Sequence, residues 1–344
     1  MNDPKGSDTF VRGFVIIASA VIIIAGLRSA QTIVAPFFVA VFVAVTLSPW
    51  VLWMTRRRVP TIAAVMIVVL VILIVSGGAG VLVGTSIDVF TRNLPFYEQR
   101  LKSEAASLLT FAGQYGVEIP EEGLLGLIDP GAALSFAANL LSGFGNLLAN
   151  AFLILLIAVF ILLEVSEIPG RIRTALGRPD ATFGWFGQFA ENLRKYLAIK
   201  TAVSLATGLS VGIWLWILGV DFPFLWGLLA FLLNYIPNIG SIIAAVPPFL
   251  LTVIQLGWGS SVLVAVGYLA VNMVFGNVVE PRYLGRGLGM STLVVFLSLL
   301  FWGWVLGTVG LFLSVPLTMT AIIALKSKPE TKWIAVMLGS GEKE

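Results

Sequence analysis

The chain contains no cysteine and no histidine. Without cysteine there is no disulfide framework, no thiolate metal site and no cysteine nucleophile. Without histidine the commonest general base and the commonest metal ligand are both missing. Charge is scarce as well: 11% of the 344 residues are charged, whereas 58% are hydrophobic and the mean hydropathy is +0.99. A soluble domain carries about 25% charged residues, so the composition is that of a polytopic membrane protein. No G-x-x-x-x-G-K-[ST] loop is present, which leaves an ATP-driven pump unsupported. No Arg-rich voltage-sensor helix or selectivity-filter loop is found either. The net charge of +3 mainly reflects basic loops and implies no nucleic-acid partner. An enzyme is not expected, nor a metal or cofactor; paired carboxylates are the one catalytic device left.

What is present is long apolar runs. A bilayer core needs about 20 apolar residues per helix. Residues 10–27 and 29–54 read as two spans joined by a tight turn at Arg28, and 59–87 as a third. The first run comes after Lys5 and Arg12 like a signal peptide, but the second run succeeds it at once, so a retained helix is expected. Arg56-Arg57-Arg58 marks the cytoplasmic side by the positive-inside rule, which puts the N-terminus inside. Residues 88–142 carry an acidic excess and suit the extracytoplasmic face; Leu101, Leu108 and Leu109 have helical spacing for a small external element. A fourth span returns over 139–163. The stretch 164–200 is basic on balance, and Phe183, Phe186, Phe189, Leu193 and Leu197 share one helical face. It reads either as an amphipathic helix at the interface or as a cover over the inner ends of the bundle. A fifth span, 201–220, has Ser204, Gly208 and Gly212 spaced for close helix contact.

Two apolar segments then have awkward lengths. Residues 222–256 as one straight helix would be about 50 Å long against a core of about 30 Å, yet they are too few for two crossings. Gly and Pro interrupt them at Pro237-Asn238-Ile239-Gly240, which predicts a re-entrant hairpin with its tip there. After a plain crossing over 258–279, residues 290–325 repeat the problem, with a tip near 304–310. Gly240 precedes Ala245-Val246-Pro247 much as Gly310 precedes Ser314-Val315-Pro316, so the two units read as an inverted repeat of crossing plus hairpin. Paired interrupted helices are the best sequence pointer to a transporter's central site, because broken helices expose backbone dipoles at mid-membrane depth. The expected fold is therefore all-α, with about six full transmembrane helices and two broken hairpins. Its expected divisions are a scaffold over 1–87, an external helical region over 88–142, a fourth span with the amphipathic segment over 143–200, a transport core over 201–325, and a cytoplasmic tail over 326–344.

These breaks nominate the candidate pathway residues Asn234, Pro237, Asn238, Gly240, Asn277, Gly310 and Pro316. An amide in lipid needs a partner, so the asparagines either line a path for a neutral polar solute or cap broken helix ends. The capping reading is preferred for Asn272. Glu280, with Arg282 nearby, is a candidate coupling site for H⁺ or Na⁺; the structural alternative is a salt bridge to Arg282 or Arg286, which is somewhat favoured. Lys200 is expected to snorkel as an anchor, and Trp302 and Trp304 to sit at the interface.

Several blocks are also recognisable together: Leu232-Leu233-Asn234-Tyr235-Ile236-Pro237-Asn238-Ile239-Gly240-Ser241, Gly276-Asn277-Val278-Val279-Glu280-Pro281-Arg282, Phe301-Trp302-Gly303-Trp304 and Ser314-Val315-Pro316-Leu317-Thr318. They resemble the autoinducer-2 exporter family of bacterial membrane proteins. Tyr196-Leu197-Ala198-Ile199-Lys200-Thr201 with Leu225-Trp226-Gly227 is similar to its autoinducer-2 transport branch. The resemblance implies a multi-pass bacterial inner-membrane transporter, assembled as a homopentamer among membrane lipid. It also implies export of a small, uncharged, hydroxyl-rich signal of the kind used in quorum sensing. Some members of the family are assigned Na⁺/H⁺ antiport, so a monovalent cation/H⁺ antiporter using Glu280 is the alternative.

Overall fold

The computed structural model describes residues 4–97, 99–100, 103, 139, 150–165, 181–237, 239–284, 290–326 and 331–338. Those residues are almost all helical. Pro4–Ser29 (α1) and Gln31–Arg56 (α2) meet at Ala30, close to the expected turn. Thr61–Arg92 (α3) overruns the expected end of the third span by five residues. Ala151–Val165 (α4) is the described part of the fourth span. The external element expected over 101–111 lies outside the described residues apart from Ser103.

Ala181–Ile217 (α5) is one unbroken helix of 37 residues. It joins the amphipathic stretch and the fifth span across the division drawn at residue 200. At 1.5 Å per residue it is about 55 Å long, so it passes well beyond a bilayer core at one end. Nothing stops it earlier, because Ala, Leu, Lys and Thr around residue 200 are all compatible with a helix.

Pro223–Leu233 (α6) is a half-length helix opened by Pro223, whose missing N–H costs nothing at a helix start. Phe222 before it adopts φ 60°, a left-handed conformation unusual for a bulky residue. Ile239–Asn272 (α7) is interrupted at Gly257 (φ 79°, ψ −179°), a backbone region open essentially to glycine. It runs on into a π-helical segment, Met273–Val279, and a short helix, Glu280–Leu284 (α8). Thr292–Lys326 (α9) is interrupted in the same way at Gly307 (φ 64°, ψ −146°), and Lys332–Met337 (α10) comes after it.

Among the described residues, five helical stretches are long and apolar enough to cross a membrane: 31–56, 61–92, 193–217, 239–283 and 293–326. The last two contain the glycine breaks. Side chains such as Ile22, Ile33, Ile74, Phe152, Trp216 and Leu269 are largely exposed, as expected of surfaces that face lipid rather than water.

One core joins α5, α6 and α7 around Leu215, Trp226, Leu229, Leu251 and Val264; a second joins α2, α3 and α4 around Ala40, Ala64 and Ala158. α6 lies most closely on α5. A Cβ on Gly208 would come within 2.6 Å of the Gly227 carbonyl oxygen, and one on Gly227 within 2.8 Å of that of Gly208. The Gly208 and Gly212 spacing expected to allow close approach does so, with Gly227 as the partner.

Candidate functional site

The first broken segment folds back on itself. The chain runs along α6, turns through Asn234–Pro237 and returns along the first part of α7 to Gln255. There the Asp221 N–H donates to Gln255 Oε1 at 3.1 Å, and Gln255 Nε2 donates to the Asp221 carboxylate. At the turn, Gly240 is buried so tightly that a Cβ would collide with the Leu233 carbonyl oxygen. The interruption read at Pro237–Gly240 is therefore real, and helix resumes at Ile239. Asn238 itself lies outside the described residues.

The second segment does the same with fewer parts. A Cβ on Gly310 would collide with the Trp302 carbonyl oxygen, and Trp302 Nε1 donates to Thr318 Oγ1 at 2.9 Å across the break. The break at Gly307 falls inside the expected 304–310 tip. Its neighbours come from the α1–α2 turn: the Arg28 guanidinium stacks 4.2 Å from the Trp304 ring centroid, and Gln31 crowds Gly307.

A polar seam runs down α5 opposite the first turn. Asn234 Nδ2 donates to Ser204 Oγ at 3.0 Å, and the Tyr235 hydroxyl donates to Thr201 Oγ1 at 2.8 Å. Asn234 immediately follows α6, yet its side chain bridges to α5 rather than capping its own helix. One residue before Thr201, Lys200 Nζ donates to both carboxylate oxygens of Glu280, at 2.7 and 2.8 Å. The side chains are 3% and 19% exposed respectively. Tyr196, one turn earlier on α5, is buried within electrostatic reach of Glu280 and Tyr235.

This arrangement corrects two expectations. Lys200 does not snorkel to an interface but is buried and paired. Glu280 takes its cation from Lys200, 80 positions away in sequence, and not from Arg282, which is exposed. The reason is geometric: Lys200 projects from a helix that packs antiparallel to the second part of α7. The same pairing is fixed further along by Trp214 Nε1, which donates to the Leu263 carbonyl at 3.1 Å, and by Gly267, which leaves room for that indole.

The other candidates separate. Asn234 and Gly240 are buried at the first turn, with Pro237 half-buried there. Gly310 is buried at the second break, and Pro316 lines a cleft of about 200 Å³ with Phe42, Leu197, Leu313 and Thr320. Asn277 is exposed on the π-helical segment, away from the seam. Sequence reasoning missed Thr201, Tyr235 and Tyr196 as seam residues. The signal available was the spacing of Tyr196, Lys200 and Ser204, which repeats every fourth residue along one face of α5.

Apolar helices with internal breaks and a buried polar seam define a multi-pass membrane protein of the transporter class. The signature of the AI-2E family transporters matches residues 16–330, and the chain belongs to that family. It is 42% identical to the AI-2 transport protein TqsA of Escherichia coli K12 over 330 residues, 96% of each chain. It is also 37% identical to the putative transport protein YhhT of the same organism, over 99% of this chain and 98% of that one. A putative transport protein of Haemophilus influenzae is 38% identical over 95% of both.

Proposed function

We propose that this chain is a secondary transporter of a bacterial inner membrane, and that it exports a small, polar, uncharged metabolite or signal such as autoinducer-2. The carrying observation is the first turn, where a broken helix end and the amide of Asn234 meet the hydroxyls of α5. Broken helices and amides at such a turn offer neutral donors and acceptors, which suit solute hydroxyls. The two segments that fold back act as re-entrant hairpins, each preceded by a crossing, and together form an inverted repeat. The N- and C-termini are cytoplasmic, and the chain works as a homopentamer. The family and the relative named for AI-2 transport support the substrate class.

The seam also weighs against antiport of a metal cation at Glu280. Both carboxylate oxygens are engaged by the Lys200 ammonium, so Na⁺ would have to displace a buried charge to bind.

Efflux from proteoliposomes tests the reading. Loaded autoinducer-2 or a small polyol should leave saturably with the wild type and much more slowly with Asn234→Ala or Asn238→Ala. Equal, unsaturable leak from all three would sink it in favour of a passive pore. Topology is tested separately. A cysteine placed at the exposed Tyr283 should react with a membrane-impermeant reagent only from the cytoplasmic side; external labelling would replace the hairpins with plain crossings.

A further inference from the structure

We propose that Lys200 and Glu280 form a proton-binding site that couples the two crossing helices to solute movement; this rests on the transport reading above. The pair lies level with the middle of α2. Tyr235, whose hydroxyl bonds Thr201 next to Lys200, packs edge-on against Phe42, near the middle of α2, with ring centroids 5.6 Å apart. An ion pair sealed at that depth is not an efficient source of stability, because apolar residues of the same size would serve as well or better. Ionisable groups within a membrane are by default functional.

Its two members are unequally accessible. The Lys200 side chain is 3% exposed and that of Glu280 is 19% exposed, so of the two only the carboxylate has an opening out of the packed helices. Glu280 also comes directly after the π-helical segment Met273–Val279. Relaxing one such wide turn to α-helix re-phases the downstream helix by one residue, about 100° of rotation. That rotation carries Glu280 off Lys200 without displacing the rest of α7. Gly276 lies within the segment, where a Cβ would press on Asn272 Oδ1 at 3.0 Å, so the missing side chain relieves crowding there.

Among the described residues, the charged and titratable groups around Glu280 are few. α5 supplies Lys200 and Tyr196, the first turn supplies Tyr235, and Arg282 of α8 is exposed; α2 and α9 contribute Phe42, Val45, Val315 and Met319 at this level, all apolar. The step is simple to balance. A hydronium transfers its proton to a Glu280 oxygen, an O–H bond forms, and the pair passes from net neutral to one positive charge. Lys200 is left buried without a counter-charge, which favours separation and rotation of the π-helical segment. Deprotonation on the other face restores the pair, so one proton crosses per cycle.

The cysteine-free chain makes the test direct. Spin labels at Ala198→Cys on α5 and Tyr283→Cys on α8, both exposed positions, report the separation of the two helices in liposomes. Between about pH 4 and about pH 9, which brackets perturbed carboxylates, two distance populations should exchange. Their ratio should change by up to about tenfold per pH unit, the slope of a single proton. Glu280→Gln should hold the longer distance at every pH. Lys200→Met/Glu280→Leu, neutral and close in volume, should abolish the pH response and keeps the test readable if Glu280→Gln does not fold. A wild-type distance constant across the range, or a pH response that persists in the double variant, overturns the proposal. Populations that track NaCl but not choline chloride at fixed pH overturn it too, in favour of a metal cation. Saturable efflux with an unmoving label pair would sink the coupling alone and leave the transport reading standing.

Discussion

In the first broken segment Gly240 lies under the Leu233 carbonyl; in the second, Gly310 lies under that of Trp302. The backbone device is the same: a helix end closes on a residue with no side chain, and the chain folds back. The surroundings of the two differ. The first turn is met by hydroxyls of α5 through Asn234 and Tyr235, and its outer ends are tied by Asp221 and Gln255. The second is dressed by aromatic and cationic groups, with Trp302 bonded to Thr318 inside the segment and Arg28 of α1 over Trp304. The difference teaches that one backbone solution can serve two ends. One turn is wired to a polar seam in the bundle, and the other is docked on the α1–α2 turn.

The most damaging way to break this comparison is at the seam. Lys200→Met strands a buried carboxylate and should lower stability by about 3–5 kcal/mol, whereas Lys200→Met/Glu280→Leu should recover most of the loss. Thermal unfolding in detergent measures both, and a double variant as weak as the single would show that the pair is not the cause. Next come the glycines. Gly240→Ala and Gly310→Ala each force a Cβ onto a carbonyl oxygen and should cost at least about 1–3 kcal/mol in the same assay. Near-equal losses support equivalence of the two breaks; tolerance of Gly310→Ala alone would end it.

Asn234→Ala should cost about 1–2 kcal/mol by leaving Ser204 without its donor, and should slow solute efflux where Trp302→Phe, at the other break, does not. A larger efflux defect in Trp302→Phe would move the solute path to the second segment. The smallest effect belongs to the exposed stack. Trp304→Leu removes a cation–π contact worth about 0.5–1 kcal/mol and should shift the unfolding temperature only slightly. A loss several times larger would mean that the second break depends on α1 far more than the first does.

Much of this molecule was written in local chemistry. Runs of apolar residues announced the helices, and Arg28 falls two residues before Ala30, where α1 meets α2. Gly and Pro marked both breaks to within a few residues: Gly240 fits under the Leu233 carbonyl only because it has no Cβ, and Gly307 adopts a positive φ that favours glycine. The Gly208 and Gly212 spacing foretold close packing, though not that Gly227 would be the partner. The continuity of α5 through residue 200 was hidden because a change in composition looks like a boundary, while backbone propensity does not change there.

The sequence by itself determined a polytopic helical membrane protein with two interrupted segments, since hydropathy and glycine placement act over short stretches of chain. Only the tertiary structure decided which groups meet at the turns. Glu280 has Arg282 two residues away and Lys200 80 residues away, and local reading favours the neighbour. Antiparallel packing of α5 against α7 brings the distant lysine to the carboxylate, and low-dielectric burial makes that partner the one it cannot do without.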